Sequence, residues 1–300
     1  MDEDRVAHLA RLGPSRRRLL LGGASMVAVQ ALAACSSSSD PTVPESPAGR
    51  AALLGAFPPG DPFIPAGVHT RLAYLITDTE GVPLAQIDGA VTFTISREGT
   101  EVAQQNVSPR SEGVPRAYLP LVVTFDTEGI YDITASYGNE ELTSTVQVFP
   151  PAEVLSPVVG QQLPPAFTAT VEAPGDVDPI CTLVPQCPFH SVNLENALGS
   201  GKPIVLLVAT PAYCQTSFCG PTLGNLIDIA DGRDDIVVIH SEVYQSPKTA
   251  TDLATAPLAP LPAAYDLTLE PVLYVTDADG AITARADAVI DRTEMAELIS

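Results

Sequence analysis

Two periods of hydrophobic residues divide the chain. Between residues 54 and 150 apolar and polar positions alternate, with Val91, Phe93 and Ile95 set against Thr92, Thr94 and Ser96. Tyr131, Ile133, Ala135 and Tyr137 likewise alternate with Asp132, Thr134 and Ser136. A period of two places each set on one face of a strand. Turn formers at residues 78–81, 98–99, 126–129 and 138–139 punctuate these runs, so the segment predicts a β-sandwich of short strands. After Pro150 and Pro151 the pattern changes. The unbroken apolar run at 204–208 predicts a strand buried on both faces, and Leu223, Leu226, Ile227 and Ala230 recur at the spacing of one helix face. Residues 236–239 and 271–275 predict further strands, and the turn at 277–280 closes a hairpin with 281–286. Asn193 caps a short helix at 194–198, and Asp291 with Glu294 forms a capping box for a final one. The resulting order is strand, helix, strand, helix, strand, strand, helix. Because the alternating and the α/β patterns never interleave, two independently folded halves are expected.

The N-terminus follows neither pattern. Residues 15–21 read S-R-R-R-L-L-L, an apolar stretch follows, and small residues lead to Cys35. Basic, apolar and small-residue regions in that order predict an export signal in place of a membrane span. Ser15, Arg16, Arg17, Leu19 and Leu20 resemble the bacterial twin-arginine motif, and Leu32 to Cys35 resembles the lipobox of bacterial lipoproteins. That resemblance implies lipidation of Cys35 and attachment to the bacterial cell membrane, facing the periplasm or the exterior. The Ser/Pro-rich stretch behind it, residues 36–53, reads as a flexible tether. Net charge changes the picture of partners. The chain carries -21 overall, but residues 1–34 hold five arginines against three acids, so the remainder, with 10 bases and 33 acids, carries -23. Such a surface excludes nucleic acid as a partner.

The candidate chemistry lies in four cysteines behind the proline boundary. Cys214 and Cys219 stand where the buried strand gives way to a helix, and the helix dipole favours a thiolate there. Cys181 and Cys187 close a small proline-rich loop in an exported chain, where disulfides persist. Four cysteines allow three pairings, and loop-closure entropy does not choose among the local ones. The favoured assignment makes Cys181–Cys187 a structural disulfide and Cys214–Cys219 the reactive pair. No metal or other cofactor is expected, with His190 read as a solvated loop residue.

The run V-V-G-Q-Q-L-P-P-A-F at 158–167, followed about forty residues later by the cysteine-bearing strand, resembles exported thioredoxin-like proteins. The resemblance covers residues 158–300 and implies the thioredoxin fold, with Pro271 at the place of its cis-proline beside the active cysteine. The G-I-Y-D-I run around Tyr131 resembles the corner tyrosine of immunoglobulin-like domains. The expected organisation is therefore a signal peptide and lipobox at 1–35, a tether at 36–53, an all-β immunoglobulin-like sandwich at 54–150, and an α/β thioredoxin-like domain with an N-terminal extension at 151–300. Two departures weaken the implied activity. Four residues separate Cys214 from Cys219 where thioredoxins have two, and Leu207 or Val208 stands where they carry a buried acid.

Thiol–disulfide exchange with an extracytoplasmic protein ranks first among the open functions, with Cys214, Cys219 and Pro271 as its residues. A non-catalytic binding or scaffold lipoprotein with structural disulfides is the rival. Thiol peroxidase activity and copper delivery rank lower, the latter because His240, the one histidine after Cys219, comes early for that role. The lipobox assignment predicts that Cys35→Ala abolishes incorporation of a radiolabelled fatty acid; a variant that still incorporates label contradicts it.

Overall fold

The computed structural model describes residues 51–58 and 61–300, which belong to one compact unit, Glu45–Ser300. Arg16, Arg17, Cys35 and most of the tether lie outside the described residues. No helix among the described residues is long and apolar enough to cross a membrane.

The described chain is β-rich, with three sheets. The first eight strands are β1 (Leu53–Gly55), β2 (Ile64–Pro65), β3 (His69–Ile76), β4 (Val91–Arg97), β5 (Thr100–Val107), β6 (Leu119–Thr124), β7 (Gly129–Tyr137) and β8 (Glu140–Phe149). They form a three-stranded sheet, β1-β3-β6, and a five-stranded one, β2-β8-β7-β4-β5. The expected alternation holds: Val91, Phe93 and Ile95 of β4 are fully buried while Thr92 and Thr94 are not. Both sheets contribute to one core, Leu72, Tyr74 and Leu121 from the first and Phe93, Ile133 and Val146 from the second. The β4–β5 hairpin turns at Glu98 and Gly99, both at positive φ (51° and 76°), the backbone sense that matches strand twist in a two-residue turn. Tyr131 Oη donates to the Thr127 carbonyl at 2.9 Å, fixing the entry to β7. The tether is shorter than expected, because Ala52 and Thr77 are joined by two hydrogen bonds and Leu53 is buried in the core.

The third sheet runs β10-β9-β11-β12, from β9 (Ile204–Val208), β10 (Val237–Ser241), β11 (Val272–Thr276) and β12 (Ile282–Asp287). β9 and β10 are parallel, and β11 is antiparallel to both of its neighbours. Helices α1 (Leu194–Ala197), α2 (Cys219–Ala230), α3 (Pro260–Ala264) and α4 (Arg292–Leu298) cover its two faces. Ile204, Leu206 and Val208 point into a core shared with α1 and α3, whereas Val205 and Leu207 point into one shared with α2 and α4. Burial on both faces explains the unbroken apolar run of β9.

The two halves also touch through buried charge. Arg71 of β3 donates to both carboxylate oxygens of Glu294 in α4, at 2.7 and 2.8 Å, and to the carbonyls of Asp287 and Val289. Tyr118 donates to the same carboxylate and accepts from the Asp291 backbone N–H. Asp291 caps Glu294 N–H as expected, but the reciprocal half of the capping box is replaced, since the Glu294 side chain turns to Arg71. Burial alone would raise the Glu294 carboxyl; the adjacent guanidinium overrides it and holds the group below the usual carboxylate range.

Removing one partner strands the other charge in the interior, so Arg71→Ala is expected to cost about 3–5 kcal/mol at neutral pH. A carboxyl with a depressed folded pKa stabilises above the unfolded value of 4.5 and loses that contribution as pH falls. The cost of Arg71→Ala should therefore shrink towards acid pH, as urea melts at pH 7 and pH 4 would measure.

Candidate functional site

β9 ends at Val208, and the chain crosses Ala209 to Phe218 before α2 begins at Cys219. Cys214 sits in this loop and is disulfide-bonded to Cys219, with Cα atoms 6.0 Å apart. The four-residue spacer is accommodated because only the second cysteine is helical; two positions five apart within a helix lie too far round its axis to bond. The sulfurs differ in access. Cys219 is fully buried, whereas Cys214 is half-buried and is the one a partner can reach. The Cys219 backbone N–H lies 3.4 Å from Cys214 Sγ, and the Thr216 hydroxyl lies 3.3 Å from it. A helix-terminal N–H aimed at sulfur stabilises its thiolate.

A buried acid lies beside the disulfide, on the segment that leads into β11. A Glu270 carboxylate oxygen lies within 4.8 Å of both Cys214 and Cys219 sulfurs. Glu270 is 8% exposed, and neither of its oxygens has a hydrogen-bond partner among the described residues. Burial pushes its carboxyl up to about 7. The Glu270–Pro271 peptide bond is cis, and Pro271 leads directly into β11. A cleft of about 390 Å³ opens beside these residues, bounded by Gln215 and Thr216 of the disulfide loop, Leu253, Leu258, Leu269 and Glu270.

The other cysteine pair departs from expectation. Cys181 and Cys187 are free thiols, not a disulfide. Their loop brings them to His190 and His240, all four residues buried and with one ligand-type atom from each within 4.8 Å of the others. His190 is only 2% exposed, contrary to its reading as a solvated residue. Burial would lower the His240 pKa, but its hydrogen bond with Cys181 and the nearby Glu242 carboxyl raise it. The Cys181 thiol is lowered by its hydrogen bond with Cys187, with His190 and His240 adding to the effect. β10 ends at Ser241, where the chain turns, so His240, Glu242 and Tyr244 do not share one face. Glu242 stays with the cysteine loop, accepting from Thr182 N–H at 2.5 Å, while Tyr244 packs in the core on the other side of the sheet and accepts from Gln215.

Sequence reasoning named Cys214, Cys219 and Pro271 but not Glu270, and did not place His240 beside Cys181 and Cys187. Glu270 was legible only as the residue before Pro271, since nothing in its spacing links it to a cysteine 56 positions earlier. No family model matches the chain, and no curated protein matches it. Among solved structures, a ZirS C-terminal domain aligns over 44% of this chain and 87% of its own length, at 12% identity and a TM-score of 0.24. A likeness this slight bears on neither fold nor activity.

A raised carboxyl pKa makes the folded state less stable as pH climbs from the unfolded value of 4.5 through about 7, because ionisation is penalised in the interior. Glu270→Gln removes that penalty. The variant should gain on the parent by up to about 3 kcal/mol between pH 4 and pH 8, read as the difference in unfolding free energy at the two pH values.

Proposed function

We propose that this protein is a membrane-tethered, extracytoplasmic thioredoxin-like lipoprotein that exchanges disulfides with a specific protein partner. The observation that carries this is the asymmetric Cys214–Cys219 pair: a reachable sulfur bonded to a buried one at a helix N-terminus, with a buried acid alongside. The fold supports it. A parallel β9–β10 pair, antiparallel β11 and β12, and helices on both faces support the reading of a thioredoxin-like domain. The two facing sheets and the Tyr131–Thr127 hydrogen bond support an immunoglobulin-like reading of the first half. Cys35 supplies the anchor, on the strength of its lipobox.

In the reduced protein, the Cys214 thiolate attacks a partner disulfide; one S–S bond forms as the partner's breaks, releasing a partner thiolate. Cys219 then attacks Cys214 and expels the second partner sulfur, so two electrons pass to the partner and the Cys214–Cys219 bond is restored. Burial makes Cys219 a poor source of thiolate unless a base takes its proton. Glu270 is placed for that, poised near neutral pH where a proton acceptor works best. The cleft between the disulfide loop and Glu270 offers an apolar wall of Leu253, Leu258 and Leu269 to a bound segment of the partner.

Cys219→Ser is expected to accumulate a mixed disulfide with the partner on Cys214, and Cys214→Ser to accumulate none, as resolved on non-reducing gels after acid quenching. The rate of resolution should follow a single group titrating near pH 7, and Glu270→Gln should abolish that dependence while leaving formation of the mixed disulfide intact. A Cys214–Cys219 bond that survives excess dithiothreitol in the folded protein would overturn exchange in favour of a binding or scaffold role.

A further inference from the structure

We propose that Cys181, Cys187, His190 and His240 form a closed zinc site that holds the disulfide loop in place. The four residues converge from two elements, three from the loop that precedes α1 and one from β10. Their separations are those of ligands around one small ion. His190 Nε2 and His240 Nδ1 lie 3.2 Å apart. Cys187 Sγ lies 3.3 Å from His190 Nε2 and 3.5 Å from His240 Nδ1, and Cys181 Sγ lies 3.8 Å from the latter. A tetrahedral zinc ion with ordinary bond lengths sets nitrogens about 3.3 Å apart and nitrogen and sulfur about 3.6 Å apart. Two imidazole nitrogens facing each other this closely without a shared proton or ion repel, which gives the arrangement a reason to hold a cation.

The surroundings orient the His240 ring. His240 Nε2 lies 2.9 Å from the Ala209 carbonyl, an acceptor that fixes the proton there and leaves Nδ1 free to ligate. All four residues are buried, so the net charge of the filled site matters. Two thiolates and two neutral imidazoles balance a divalent ion, whereas a monovalent copper ion would leave one negative charge uncompensated in the interior. On binding, two thiol protons leave to solvent and no bond within the protein breaks. Four protein ligands fill the coordination sphere, which makes the site structural, not catalytic.

Its contacts give the site a purpose. His240 engages Ala209, the first residue beyond β9, and Thr182, adjacent to Cys181, accepts from Ala212 N–H at 3.1 Å. Both bonds fall on the segment that carries Cys214, so the ion fixes the base of the disulfide loop without touching its sulfurs.

Zinc measured by inductively coupled plasma mass spectrometry on the full chain, purified without chelator, is expected at one ion per chain. Cobalt added after chelation should give the intense visible bands of a tetrahedral thiolate complex. Cys187→Ala should lower zinc content at least about tenfold, and the Cys214→Ser/Cys219→Ser double variant should leave it unchanged. Alkylation of the native parent should modify Cys181 and Cys187 only after the metal is removed. Copper in place of zinc, a Cys181–Cys187 disulfide in the peptide map of the native chain, absence of stoichiometric metal, or metal lost with the Cys214/Cys219 double variant would each overturn the assignment. The parent's metal content and peptide map decide the matter even if the Cys187 variant does not fold.

Discussion

The second half of the structure depends on β9 being buried on both sides. Five consecutive residues, Ile204 to Val208, alternate between two separate cores, and each apolar side chain contributes about 1.5–3 kcal/mol on burial. A strand so placed cannot slip by one residue without sending every side chain to the wrong layer. Its C-terminal end is therefore fixed, and everything reactive follows from that end: Ala209 receives His240, the loop beyond carries Cys214, and α2 begins at Cys219. Antiparallel pairing with β11 then brings Glu270 and Pro271 alongside, since Val272 opposes Val208 in register. A single packing constraint thus collects side chains separated by up to 89 positions, from Cys181 to Glu270.

The contact between the halves uses a different kind of interaction. Arg71 and Glu294 surrender their hydration, and the loss is offset only because the guanidinium finds four hydrogen-bond acceptor contacts and the carboxylate also receives Tyr118. Such a pair adds little net stability over an apolar contact of equal volume, but it penalises any other docking geometry, because a misplaced half leaves a bare charge inside. Asp291 extends the same junction by accepting from Glu112 N–H. The proline boundary read in the sequence marks a change of architecture, and the charge network is one of the contacts that join the two architectures within one compact unit.

What the sequence revealed and what it hid divide along physical lines. Periodicity is a local property, so β4, β7, β9 and α2 were legible from residues within each element. The spacing of Cys214 and Cys219 also constrained the loop correctly, because bond geometry requires one of them to lie outside the helix. Convergence is not local. Cys181 and Cys187 looked like a disulfide because a six-residue separation permits one, and only the parallel register of β10 against β9, which brings in His240 from 50 positions beyond His190, changes their chemistry. Likewise, Glu270 could not be found by looking along β9; it lies just ahead of β11, the antiparallel neighbour of β9.

The two sulfur clusters sit on the same side of the sheet and border one core, yet their environments demand opposite behaviour. A thiol pair that exchanges partners must let one sulfur move and be reached, and Cys214, half-buried in an irregular loop, has that freedom. Exchange is also quick only if the attacking sulfur returns to the same place on each turnover, and a loop of ten residues between strand end and helix start does not hold its shape by backbone hydrogen bonding alone. Rigid support has to come from outside the loop, at points that do not block the sulfur. The bonds to Ala209 and Ala212 meet that condition, five and two positions ahead of Cys214 on the side away from α2. The buried Cys181, Cys187, His190 and His240 therefore make sense as a fixed footing for the loop that carries Cys214, reached through Ala209 and Ala212.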